Sequence, residues 1–234
     1  MNLLLLALAP VFVIATYIYF RDKYEKEPIR LLVFAMLAGA VAVLPILLVE
    51  SVLSSLGTGL PHLMSAAWKA FVVAAFSEET FKYIALYLLI WKSPEFNEKF
   101  DGIVYAVYVS LGFAAVENIL YVTGGGMQAG ISRAITAVPA HAIFGVTMGF
   151  YFGLARFYET ERAALKRKAL LYPILLHGIY DFILFTGMAW LTIVFVGFLV
   201  YLYISGLKRI KELSRQSIYN TDYNLLNEKF SNPK

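Results

Sequence analysis

The chain alternates long apolar runs with short charged connections. Seven of the runs reach the roughly 20 residues that a helix needs to cross a bilayer. They lie at about residues 3–20, 31–49, 66–91, 103–122, 131–157, 169–186 and 188–207. The third is unusual because Glu78-Glu79-Thr80-Phe81-Lys82 interrupts it, leaving flanking apolar pieces at 70–77 and 83–91 that are each too short to span alone. It must cross as a helix with a polar waist, or enter and return as a buried re-entrant element. The first run has no basic segment before it, and Arg21 and Lys23 follow it, so it reads as a retained span with the N-terminus outside.

The basic residues test that count. Seven crossings from an external N-terminus put residues 21–30, 92–101, 156–168 and the tail from Lys208 in the cytoplasm. These stretches hold 17 of the 20 Lys and Arg, and only Lys69, Lys82 and Arg133 fall elsewhere. That distribution satisfies the positive-inside rule at every cytoplasmic connection. The expected fold is therefore an all-α, polytopic membrane helical bundle of about seven transmembrane helices, with a cytoplasmic C-terminus. Residues 1–207 form the membrane domain and 208–234 a polar cytoplasmic tail that frays after Lys211.

Composition agrees. The chain is 60% hydrophobic and 15% charged, against about 25% charged in soluble domains. With no cysteine there is no disulfide and no thiolate metal site. The net charge of +4 resides in the connections, which argues against a nucleic-acid surface. Gly124-Gly125-Gly126 has no strand before it and no Lys-Ser/Thr after it, so it reads as an external turn and not a phosphate loop. No internal repeat is visible, so the usual signature of many secondary transporters is missing.

Ionisable residues at membrane depth cost about 2.5–3.5 kcal/mol each on insertion scales, so the third span carries about 8–10 kcal/mol that pairing or a polar cavity must offset. On a helix, Lys82 is spaced to reach Glu78 (i,i+4) or Glu79 (i,i+3). One ammonium balances one carboxylate, and the surplus acid suits a general base or a metal ligand. A structural Glu–Lys pair near a helix end is the plainer alternative.

Three further spans carry polar groups. Glu117 lies on one face of the fourth with Phe113 and Tyr121, and as an acid six residues before Thr123 it could equally sit at the outer interface. His141 follows Pro139, which should kink the fifth span, and belongs to a small-residue ridge of Ala137, His141, Gly145, Gly149 and Gly153. Such a ridge lets two helix backbones meet closely, so His141 points into a seam. In the sixth span His177 and Asp181 share a face, and an acid one turn from a histidine can fix its tautomer or join it at a metal. His62 reads as a solvated loop residue. At 1.5 Å per residue, Glu78, His141 and His177 lie about 15–18 Å below the external helix ends and Glu117 about 9 Å. Four helices thus converge on one level, slightly outward of the midplane.

Together, Glu78-Glu79-x-x-Lys82, Phe113-x-x-x-Glu117-Asn118, His141-x-x-x-Gly145 and His177-x-x-x-Asp181 resemble the PrsW family of bacterial intramembrane proteases, which is similar to the CAAX-protease group. The resemblance runs from the first span through the sixth. It implies a multi-pass plasma-membrane peptidase that makes the first, extracytoplasmic (site-1) cut in a membrane-anchored anti-sigma factor under envelope stress. Its partners are then a single-pass membrane substrate and the lipid bilayer, with no nucleic acid.

The residues leave two mechanisms open. In one, His141 and His177 with a carboxylate from Glu79, Glu117 or Asp181 hold Zn²⁺, and another Glu acts as base. In the other there is no metal: a Glu activates water while a histidine and Asn118 donate to the oxyanion. No His-Glu-x-x-His is present to decide. Glu78, Glu79, Glu117, His141 and His177 are the catalytic candidates, with Lys82, Asn118 and Asp181 in support. A proton- or ion-coupled transporter is the competing class.

Overall fold

A computed structural model describes residues 3–220. It is helical, with no strand among the described residues: α1 Leu3–Arg21, α2 Ile29–Leu56, α3 His62–Ala67, a π-helical stretch Trp68–Ala75, α4 Phe76–Ile90, α5 Lys99–Ile135, α6 Ala137–Phe157, α7 Arg162–Phe185 and α8 Leu191–Arg215. Five of the helical stretches are long and apolar enough to cross a membrane: α1, α2, Lys99–Phe157, α7 and α8.

The structure takes one of the two forms left open for the third run, and it moves the break expected at Pro139. The third run is a continuous helical path from α3 through the π stretch into α4, with Trp68, Ala75 and Phe76 all in right-handed helical geometry at the joints. It is a helix with a polar waist. The stretch Lys99–Phe157 is broken twice, at Gly126 (φ 65°, ψ −154°) and at Thr136 (φ −119°, ψ −71°). Gly126 tolerates the positive φ because it has no Cβ, so the triple glycine does make a turn. Pro139 does not kink a continuous span. The break falls at Thr136, and Pro139 lies in the first turn of α6, where its missing N–H removes no intrahelical bond.

α5 is the axis of the bundle. From Phe100 to Ala114 every residue is buried, as expected of a helix that is apolar all round and packed on all sides. α1, α2, α4 and α6 surround it, while α1 and α8 keep long apolar faces exposed, as lipid-facing helices do. α6 runs antiparallel to α5 along the small-residue ridge. A Cβ on Gly149 would lie 2.2 Å from the Gly102 carbonyl oxygen, one on Gly153 2.1 Å from that of Lys99, and one on Gly145 2.7 Å from Ser110 Oγ. The ridge therefore packs within one chain, backbone against backbone.

The N-terminal end of α5 is polar and closed. Asp101 Oδ2 accepts the N–H groups of Asn97 (2.9 Å) and Glu98 (2.7 Å), capping the helix, and the Tyr105 hydroxyl donates to Glu27 in the α1–α2 connection. α8 crosses residue 207 without a break and continues to Arg215. Ile210 and Leu213 are buried, and the Ser217 hydroxyl donates to Glu98. The chain after Lys211 is thus docked as far as residue 220, contrary to the frayed tail expected from its polarity; apolar residues on one helical face, Ile210 and Leu213, anchor it. Residues 221–234 of that tail lie outside the described residues.

Two outcomes check this architecture. Gly149→Ala should lower the thermal midpoint of the detergent-purified protein, at a cost of about 1–3 kcal/mol for the forced separation of two backbones. Gly197→Ala, where nothing lies within 4 Å of the new Cβ, should be neutral or slightly stabilising. The second concerns pH. Burial pushes the Asp22 carboxyl up to about 6 from an ordinary 3.8, and that of Glu27 up to about 7 from 4.5. Between these limits the folded state holds protons that the unfolded chain has released, so stability falls as pH rises from about 4 to 7. Melting curves between pH 4.5 and 8 should show that decline, and Glu27→Gln should make it shallower.

Candidate active site

The polar waist of the third path is almost sealed. Glu79 and Lys82 are 0% exposed and Glu78 is 5% exposed. An ammonium without water must give its protons to protein acceptors. Lys82 Nζ donates to Glu79 Oε1 at 2.8 Å and to Glu78 Oε2 at 3.0 Å, lies 3.3 Å from His141 Nδ1, and stands 4.0 Å over the Phe113 ring. It therefore bridges both carboxylates, although its single charge balances only one.

The histidines complete the cluster from α6 and α7. An ammonium can only donate, so His141 Nδ1 is an acceptor and its proton is on Nε2. From there it donates to Glu117 Oε2 at 2.8 Å. His177 lies with Nδ1 3.0 Å from Glu79 Oε1 and 3.9 Å from Glu78 Oε2, and with Nε2 3.3 Å from Asp181 Oδ2. Both rings turn Nδ1 inward and Nε2 toward an outer carboxylate. Phe144 stacks on His177 (4.9 Å between centroids, 15° between planes) and Phe113 packs edge-on against His141 at 5.4 Å. These aromatic walls fix the ring planes.

One ligand atom from each of Glu78, Glu79, His141 and His177 lies within 4.8 Å of the others. Two imidazoles and two carboxylates match the donor types that bind zinc. Each ring nitrogen directed away from the group is backed by an acid, the outer-shell arrangement that orients metal-ligating histidines. Glu79 Oε2 is buried without a hydrogen-bond partner, leaving an uncommitted anionic oxygen beside the group. The residues fit a metal, and Lys82 occupies acceptors that a metal would share.

The structure brings together the four helices grouped in the sequence analysis and sets their polar residues at different distances from the inner group. Glu117 and Asp181, considered as metal ligands, stand behind His141 and His177, while Glu78 belongs to the inner group. Asn118, considered as an oxyanion donor, is fully buried with both ends of its amide engaged: Nδ2 donates to the Ala7 carbonyl of α1 at 2.7 Å, and Oδ1 accepts from Arg133 Nε at 2.8 Å. His62 is exposed as expected, but it opens α3 and does not lie in a loop.

A cavity of about 600 Å³ opens onto the cluster, lined among others by Glu78, Glu117, His141, His177 and Asp181, with Phe113 and Phe144. Glu79 and Lys82 lie behind this wall, so the adjacent glutamates differ: one meets the cavity and the other is internal. Three charged lining residues, Glu50, Lys69 and Arg133, had no assigned role in the sequence. The available signal was topological, since Lys69 and Arg133 are two of the three basic residues outside the basic connections.

The family described as "PrsW family intramembrane metalloprotease" matches residues 27–206. Proteins named Protease PrsW are 37% identical over 212 residues in Geobacillus kaustophilus, covering 90% of this chain and 92% of the relative. They are 38% identical over 220 residues in Oceanobacillus iheyensis (94% and 100%) and 37% over 207 residues in Bacillus subtilis (88% and 92%). No solved structure matches. With that coverage, and with its four motifs gathered around one buried cluster, the chain belongs to the PrsW family of intramembrane metalloproteases and is a multi-pass membrane peptidase.

Proposed function

We propose that this peptidase makes the first, extracytoplasmic cut in a single-pass membrane protein, an anti-sigma factor whose loss releases an envelope-stress response. The observation that carries the reading is the inner group Glu78–Glu79–His141–His177 at the floor of an open cavity. The anti-sigma substrate follows from the resemblance in the motifs, and the side of cleavage from the placement of charge. Seven crossings with the N-terminus outside put the basic connections at one face and the Gly126 turn at the other. Along α7, His177 is about 12 Å from the Phe185 end and about 22 Å from the basic Arg162 end. The cluster is therefore nearer the face without the basic connections, where an external cut is made.

In this reading Glu79, His141 and His177 would hold the metal, and Glu78, the glutamate that meets the cavity, is the base. Zn²⁺ bound there supplies a Lewis acid for the scissile carbonyl and makes water easier to deprotonate. Glu78 takes a proton from water as the water oxygen bonds to the peptide carbon, and returns it to the amine nitrogen as the C–N bond breaks. Lys82 keeps the two carboxylates apart in charge and position. Asp181 and Glu117 hold the rings so that both Nδ1 atoms face inward.

The two glutamates give separable outcomes. Glu78→Gln should lower kcat for a purified single-pass substrate by about 10³-fold or more while keeping bound metal. Glu79→Gln and His177→Ala should lose both metal and cleavage. Elemental analysis of each variant beside a cleavage assay in detergent makes the distinction. If Glu78→Gln loses the metal and Glu79→Gln keeps it, the two roles are exchanged; normal cleavage by all three removes the cluster from the reaction. Wild-type protein should contain one equivalent of divalent metal, lose activity to a chelator and regain it with added zinc. Full turnover by metal-free protein would falsify the metal scheme.

A further inference from the structure

The two histidines are steered in different ways. His177 has Asp181 one turn along its own helix, whereas α6 contains no acid and His141 depends on Glu117 from α5. Glu117 is held in turn. The same Oε2 that accepts from His141 at 2.8 Å also accepts from Arg133 Nη2 at 2.6 Å. Arg133 comes from the short helical stretch between the breaks at Gly126 and Thr136, and no sequence motif includes it. Its guanidinium is constrained on three sides: Nη2 on Glu117, Nε on Asn118 Oδ1 at 2.8 Å, and its face 4.0 Å from the Tyr121 ring. Asn118 is itself tied to the Ala7 carbonyl of α1. A planar fork that donates in two directions and stacks on an aromatic ring is something arginine provides and lysine does not.

We propose that Arg133 is a positioning residue for the reaction. It fixes the Glu117 carboxylate, and Glu117 in turn holds the His141 ring with its proton on Nε2 and its Nδ1 lone pair toward Glu78, Glu79 and His177. The expected effect on turnover rests on the function proposed above; the effect on the ring does not. A group that acts only by charge at this position would be replaced by lysine without loss. A group that sets the orientation of another would not.

The chain contains three histidines, so protein labelled with ¹⁵N in histidine shows only His62, His141 and His177. The exposed His62 serves as the internal reference. Wild-type protein, Arg133→Met and Arg133→Lys are compared by the ring ¹⁵N shifts of detergent-solubilised protein and by steady-state cleavage of a single-pass substrate. In the wild type, His141 is expected as the neutral ring protonated on Nε2. Arg133→Met should shift or broaden the His141 Nε2 resonance, because the Glu117 carboxylate that accepts its proton is no longer held, and lower kcat by about 10–100-fold, the usual effect of removing an outer-shell partner, with KM within about twofold. Arg133→Lys should fall between the two. His141 signals superposable on the wild type with kcat within about twofold in Arg133→Met overturn the proposal. So does a lysine variant that matches wild type in both readouts, and this arm decides if the methionine variant does not fold. Should wild-type protein cleave nothing, the function proposed above fails, and the His141 spectrum still decides the role of Arg133.

Discussion

A fully buried ammonium must give every proton it carries to protein acceptors, because no water is available to take them. Lys82 does this with Glu78, Glu79 and His141, and the rest of the site can be derived from that constraint. Two carboxylates one residue apart on α4 cannot approach each other's neighbours freely while one ammonium holds them both. Glu79 is drawn inward against His177, and Glu78 is left at the cavity wall. His141 must offer Nδ1 as an acceptor, which puts its proton on Nε2 and requires an acceptor outside the cluster. Glu117 supplies it. Removing Lys82 would leave two buried acids with no cation between them, a more severe change than the loss of any single hydrogen bond.

Geometry on this scale depends on how closely α5 and α6 approach. Gly145 against Ser110, about one turn from His141, and Gly149 against Gly102, about two turns away, bring the two helices together. Only at that separation can an imidazole on α6 reach a carboxylate on α5 at 2.8 Å. The small-residue ridge is thus part of the site's positioning even though none of its glycines touches the cluster. It also explains why α5 has no exposed face along its first half. A helix gripped by backbone contact on one side and by α1 and α2 on the others can carry a functional side chain with little freedom to rotate.

The legible part of this site was the part that is costly in lipid. Glu78, Glu79, Lys82, Glu117, His141, His177 and Asp181 stand out because apolar spans rarely tolerate them, and helical spacing and depth indicated that they meet. Partners across helices were not legible. Which acid backs which histidine depends on the rotation and offset of whole helices, which no spacing within one segment records. Asn118 illustrates this: its position beside Glu117 suggested a cavity donor, yet consecutive residues on a helix point about 100° apart, and Asn118 faces α1. Arg133 lies beyond a glycine break, so its path back to Glu117 depends on the turn and not on any helical period. Polarity misled at the C-terminus too, because Ile210 and Leu213 among many charges are enough to dock a helix end.

The division between Glu78 and Glu79 has a cause further back along the chain. An α-helix continuing straight from His62 would reach Glu78 with one phase; the π-helical stretch Trp68–Ala75 makes wider turns, with i→i+5 bonding, and delivers Glu78 with another. Phe76 resumes the α-helix two residues before the cluster, so the phase set by the π stretch is the phase at which Glu78, Glu79 and Lys82 meet α6 and α7. π-Helical insertions are rare and concentrate at functional sites. Here the insertion decides which of two identical neighbours faces the cavity and which is buried. Adjacent glutamates with the same chemistry thus acquire different surroundings, from the helix phase that delivers them together with the ammonium that holds them both.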